Sequence, residues 1–210
     1  MATMLTLLLT LLPARAAQWP DWQLPAPLRP AGNGDLVYPS WFAGSWQLRS
    51  HDPEGRETDL QAPVRFKAGD GSGVVGERAF NAAAVGKALL GPALLDVAND
   101  PANPNRQLGR LQGEQLLEST VVARASATQG DSFWADELSQ QVLHQPGQPP
   151  RLSQVETLSR YERLSDGSIG GEQWQATYPA PGEGLRLRPL RSSHWQLRLE
   201  PVEPGSDRTS

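Results

Sequence analysis

The segment Trp195-Gln196-Leu197-Arg198-Leu199-Glu200 alternates apolar and polar residues without a break. An extended strand sends successive side chains to opposite faces, so a strand buried on one side meets this pattern and a helix does not. Trp174-Gln175-Ala176-Thr177-Tyr178 repeats it. The same reading predicts strands over Ser45 to Ser50, Val64 to Phe66, Val74 to Phe80, Leu94 to Ala98, Gln107 to Gln112, Glu114 to Arg124, Ser132 to Leu143 and Ser153 to Leu164. In the last of these, Leu158, Tyr161 and Glu162 also fit helical spacing. Gly69 to Gly73, Gln129-Gly130-Asp131 and Ser165-Asp166-Gly167 read as hairpin turns. Many short strands with tight turns imply an all-β, mostly antiparallel fold, a meander that closes on itself as a barrel.

One stretch breaks the period. Asn81 to Leu90 is Ala-rich and predicts a short helix, with Asn81 as its cap and Gly91-Pro92 as its stop. Asn99 to Asn105 reads as a loop from its Asn, Asp and Pro content. The Gly-rich run at Gly69 to Gly73 leads into a strand, whereas a phosphate cradle would open a helix.

The ends carry different signals. Leu5 to Leu12 is apolar but for two threonines, and Ala14-Arg15-Ala16 follows Pro13. This is the pattern of a secretory leader, cleaved before Ala17. The run is too short to span a bilayer, which needs about 20 residues. The expected organisation is a signal peptide over 1–16, an extended Pro/Trp-rich arm over 17–37 carrying Trp19, Trp22 and Leu24, a β domain over 38–203 and a disordered tail over 204–210.

Composition narrows the function classes. The net charge is -4, and no run of Lys and Arg offers the basic stripe that nucleic acid requires. Cysteine is absent, which removes disulfides, thiolate nucleophiles and Cys-ligated zinc. His51, His144 and His194 are scattered and sit in no metal-ligand motif, and there is no Gly-x-Ser-x-Gly elbow. Asp136 and Glu137 are neighbours, but on a strand they face opposite sides and cannot cooperate; Glu54 and Glu57 read as solvated surface. No catalytic residue, metal or cofactor is expected, and the chain reads as a non-enzyme.

Tyr38-Pro39-Ser40-Trp41-Phe42 followed by Gly44-Ser45-Trp46 resembles the entrance to a lipocalin-like (calycin) barrel, where a helical turn leads into Gly-x-Trp. A late arginine, here Arg198, matches the one that packs across that tryptophan in the family. Together with Glu77 to Asn81, Asn103 to Arg106 and Gln173-Trp174 with Tyr178, the pattern resembles a family of unknown function from cyanobacteria and plastids. The resemblance runs from Tyr38 to about Val202. It implies a lipocalin-like barrel closed at one end by Gly44, Trp46 and Arg198, and a place in the thylakoid lumen or periplasm. It implies no activity.

The candidate ligand-binding residues are Arg78, Asn81, Asn105, Arg106 and Trp174. Arg78, read as part of a strand, would point into the barrel. There its charge needs either an acidic ligand or an internal carboxylate, with Glu118, Glu137, Glu156 and Gln173 as candidate partners. Trp41, Trp46, Trp134, Trp174 and Trp195 either line a cavity or fill a core. Three functions follow, the third being an enzyme without a recognisable motif. The first is a binding module for a small apolar or acidic-apolar molecule. The second is a structural or assembly protein that meets a protein partner through the arm. The oligomeric state is not legible.

Overall fold

The computed structural model describes residues 19–21, 23–69, 71, 73–180 and 189–202. The leader, the tail from residue 204 and Trp22 lie outside the described residues. The chain forms β1 (Arg29–Pro30), β2 (Val37–Tyr38), β3 (Gly44–His51), β4 (Leu60–Ala68), β5 (Val74–Gly76), a helix α1 (Arg78–Leu90), and then seven strands in succession. These are β6 (Leu94–Asp100), β7 (Asn103–Leu111), β8 (Gln115–Gln129), β9 (Ser132–Gln145), β10 (Gln148–Arg163), β11 (Ile169–Pro179) and β12 (Arg191–Pro201). Among the described residues, no helix is long and apolar enough to cross a membrane.

The fold is all-β and antiparallel, as the alternation predicts. The riskiest segment, Ser153 to Leu164, is strand for all but its last residue. The hairpins at Gly130 and Gly167 form where expected, each glycine with positive φ. The sheet runs in the order β2-β5-β4-β3-β12-β11-β10-β9-β8-β7-β6, with β1 pairing alongside β8.

Several expectations need correction. The barrel is not closed: the sheet curls into a half-barrel with β2 and β6 at its margins. The physical cause is the early end of β5 at Gly76, after which the chain becomes helix and leaves no strand to join the margins. The helix therefore starts at Arg78, and Arg78 to Phe80 are helical rather than extended. As the crossover from β5 to β6, α1 packs against both β4 and β6 and bridges the gap. The loop predicted over residues 99–105 is instead a tight hairpin between β6 and β7, turned by Asp100, whose Oδ1 accepts the Ala102 N–H at 2.8 Å.

The entrance motif has a local explanation. Ser40–Phe42 form a single 3-10 turn. Gly44 then takes φ +121°, a backbone region that side chains disfavour, to swing the chain into β3. Trp46 reaches back and donates its indole N–H to the Phe42 carbonyl at 2.8 Å. Phe42, fully buried, meets Trp41, Tyr38, Phe66, Tyr161 and Phe133 at ring distances from 4.5 to 5.8 Å. Arg198, however, does not cross Trp46. It lies on the opposite face of β12 from Leu197 and Leu199, and pairs with Asp166 and Glu200. The strict alternation of β12 forbids the expected contact, because Trp46 shares its face with the buried Leu48 and Leu199.

Candidate functional site

The inner face of the half-barrel is not one continuous apolar core. An aromatic cluster at one end contains Phe42, Phe133, Tyr161, Trp46 and Trp195. A separate cluster of Leu94, Leu111, Leu117 and Leu143 occupies the other. Between them the same faces carry buried polar side chains. Along β9 the inward positions read Phe133, Ala135, Glu137, Ser139, Gln141, Leu143, all buried. Thr157 and Ser159 on β10, and Gln173 and Gln175 on β11, continue this belt sideways.

Cross-strand register sets its rows. Gln107, Ser119 and Gln141 face one another across β7, β8 and β9. Arg124, Glu137, Thr157, Gln175 and Ser193 form another row across β8 to β12. Gln175 donates to the Thr157 hydroxyl at 3.4 Å. Other belt atoms are deeply buried and find no hydrogen-bond partner among the described residues: Ser119 Oγ, Gln141 Nε2 and Gln173 Oε1. Gln141 is only 1% exposed. Unpaired buried polar atoms are uncommon in folded proteins and require an explanation.

A β-bulge delivers Arg124 to the belt. The register of β8 slips between Val121 and Ala123, so the inward phase passes from Leu117, Ser119 and Val121 to Arg124. There Arg124 pairs with Glu137 at 3.0 Å, both side chains about nine-tenths buried. Arg124 also donates to Asn105 Oδ1 at 3.0 Å and to the Gly34 carbonyl.

Arg78 sits beside this pair and is itself paired. It pairs with Asp35 at 3.1 Å and donates to the carbonyls of Pro104 at 2.9 Å and Asn105 at 3.3 Å. Asn105 in turn donates from Nδ2 to the Gly32 carbonyl at 2.6 Å. This network clasps the chain before β2 to the head of β7, across the open seam. A cavity of about 20 Å³, room for one water, lies beneath it between Asp35, Tyr38, Arg78, Asn81 and Glu137. Outside it, Pro30 to Asn33, Ala102 to Asn105 and Thr120 to Val122 line a surface groove of about 400 Å³.

Asn81 is not a helix cap. From the first turn of α1 its Oδ1 accepts the Arg65 N–H at 2.7 Å and its Nδ2 donates to the Arg65 carbonyl at 3.0 Å. The amide thus continues the ladder that β5 abandons at Gly76.

Of the five predicted binding residues, Arg78 and Asn105 form the clasp, and Asn81 lines the small cavity beneath it. Arg106 and Trp174 do not reach it. Arg106 faces outward and pairs with Asp100 and Glu118. Trp174 lies on the outer face in a row with Asp136, Leu158 and His194, its indole stacked on His194 at 4.1 Å. The tryptophans therefore line no common cavity: Trp46 and Trp195 are core, and Trp134 meets Arg160 at 5.6 Å on the outer face. The carboxylates proposed for Arg78 have other partners. Glu118 faces Arg106 and His144, Glu137 holds Arg124, and Glu156 accepts the Tyr178 hydroxyl at 2.9 Å.

On that outer face, burial and then the charges of Glu156 and Glu137 push the Asp136 carboxyl up to about 7. Asp136 and Glu137 do face opposite sides of β9, as the strand period requires. Among the described residues, no cluster of three His, Asp or Glu side chains could hold a metal ion.

The belt escaped the sequence reading, yet it left a signal. Apolar residues of one phase in β9, Phe133, Ala135 and Leu143, are interrupted by three polar residues of that same phase. A search of the curated proteins and one of the solved structures each found no match. A family model described as Domain of unknown function (DUF6816) matches residues 30–193, from the end of β1 into β12, and the chain belongs to that family.

Proposed function

We propose that this protein is a non-enzymatic, exported, lipocalin-like module that holds a small molecule inside its half-barrel. The observation that carries the reading is the polar belt between two separate apolar clusters, with belt atoms that find no hydrogen-bond partner among the described residues. Burying such groups costs about 1–3 kcal/mol each when nothing bonds them, so a solid protein core would favour apolar side chains there. The charged groups nearby are committed to one another, which suits a binding role better than acid–base chemistry. An acidic ligand head on Arg78 loses its rationale, because Asp35 already neutralises that guanidinium. The lumen or periplasm remains the proposed location, on the strength of the N-terminal leader pattern.

Native mass spectrometry of the purified full chain tests this reading. A retained non-covalent mass, released on unfolding, is the expected result; bare protein from its native source would count against it. The groove beside Gly32 and Asn105 favours a second reading, a docking site for a protein partner in an assembly role. Under that reading the interior stays empty of ligand and substitutions at Asn33 or Ala102 disrupt the complex.

A further inference from the structure

We propose that the chain before β1, from Ala17 to Leu28, is a strap over the outer face of β9–β11, released when Asp136 ionises. Its release is independent of what the half-barrel holds inside. The outer face is buried where a lone sheet would be wet. Leu158, Trp174 and Ala176 point away from the interior, yet they are 5%, 7% and 0% exposed. The helix α1 does not layer them, because it packs on β4 and β6.

Register shows where a cover enters. Ala125, Asp136, Leu158, Trp174 and His194 stand opposite one another in a row across β8 to β12. β1 pairs Arg29 with Arg124, so the chain before Arg29 departs beside Ala125, at the β8 end of that row. Trp19, Leu24 and Leu28 belong to no helix or strand and are nevertheless partly buried. Residues 17–28 reach up to about 40 Å when extended. The three steps from β8 to β11 take about 15 Å. Trp, Leu and Pro dominate the segment, which suits it to an apolar face.

The row also contains the trigger. Asp136 Oδ1 is buried and has no hydrogen-bond partner among the described residues. Beside it β8 turns only Ala123, Ala125 and Ala127 outward. β10 brings Glu156 and Arg160, but Arg160 stands over the Trp134 ring at 5.6 Å. β11 brings Tyr178, which donates its hydroxyl to Glu156 at 2.9 Å, and Glu172, 3.5 Å from His194 of β12. Glu137 projects from the other face of β9. The only charged side chain of the strap is Asp21, so it brings no side-chain cation. Burial first, then Glu156 and Glu137, push the Asp136 carboxyl up to about 7. Below that pH the carboxyl is neutral and an apolar strap can lie on it. Above it the strap would cover a carboxylate without a counter-ion, which is costly, so it lifts and admits water.

Chymotrypsin reads the strap in the full chain, at the Trp22–Gln23 bond. Rates at pH 6 and pH 8.5 are normalised to a free peptide of residues 17–28. About a tenth of Asp136 is ionised at the lower pH and nearly all at the higher, so cleavage should be about tenfold faster at pH 8.5. Asp136→Asn should stay slow at both. Glu156→Gln removes a neighbouring negative charge and should move the transition to lower pH; it carries the test if Asp136→Asn fails to fold. Fast cleavage at both pH values would overturn the strap, and slow cleavage at both would overturn its release. An Asp136→Asn protein that follows the wild type overturns the proposal too. So does cleavage after Phe133 and Tyr161 that rises in step with cleavage at Trp22, because the whole fold then loosens rather than the arm.

Discussion

Asn81 takes the place of a strand residue from inside a helix. Its amide supplies the donor and the acceptor that Arg65 would have found on a longer β5. The Arg65 carbonyl has a second donor in the Glu77 N–H at 2.9 Å, but its N–H depends on Asn81. Asn81→Ala should therefore cost about 1–3 kcal/mol, read by urea denaturation. Asp136 makes a prediction of a different kind. Its carboxyl is raised from 3.8 to about 7 in the folded protein, so the folded state holds a proton that the unfolded chain releases near pH 4. Stability from this group is fully present below about pH 4, declines as pH rises, and is lost once pH passes about 7. Asp136→Asn should flatten that decline and raise stability at pH 8 by roughly 2 kcal/mol, allowing for partial solvent screening. Melting temperatures from pH 4 to pH 8 check it. Residues such as these are hard to read in advance. Val74-Val75-Gly76 runs into Arg78-Ala79-Phe80 with a plausible strand alternation, and nothing local says that the chain turns helical between them. Asp35, the partner of Arg78, is 43 residues away in sequence.

Among the elements, β8 matters most to the site because of its bulge. If the same sequence ran without the bulge, the inward phase of Leu117, Ser119 and Val121 would continue through Ala123, and Arg124 would face out. Deleting Val122 removes the bulge yet keeps Arg124 opposite Glu137, whereas leaving Glu137 without its cation should cost about 3–5 kcal/mol, the usual penalty for breaking a buried pair. Arg124→Met should cost a similar amount, and the double variant Arg124→Met with Glu137→Gln much less. Thermal unfolding of the three proteins separates these outcomes. A bulge has no sequence signature in a run like Thr120-Val121-Val122-Ala123, so the inward turn of Arg124 was not legible. The strands themselves were, because burial keeps a period of two from Ser132 to Leu143 in β9 and from Ser193 to Leu199 in β12. The helix α1 was legible in its alanines and in Gly91-Pro92, but its role as a bridge across the seam belongs to topology.

For the molecule as a whole, the departure from a closed barrel follows from one short strand. With β5 only three residues long, the margins cannot pair, and α1 with the Arg78 clasp holds them instead. The result is an interior walled by a sheet and a helix, apolar at both ends and polar in the middle. Alternation revealed that a buried face exists. It did not reveal where along that face polar residues gather, since each strand contributes only two or three and the register brings them together. The central claim is that this gathering binds a small molecule. A crystal structure of the protein purified from its native source tests it most directly. The account predicts an organic molecule inside the half-barrel, held by hydrogen bonds of about 3 Å to belt side chains. An interior holding only protein and water would contradict it.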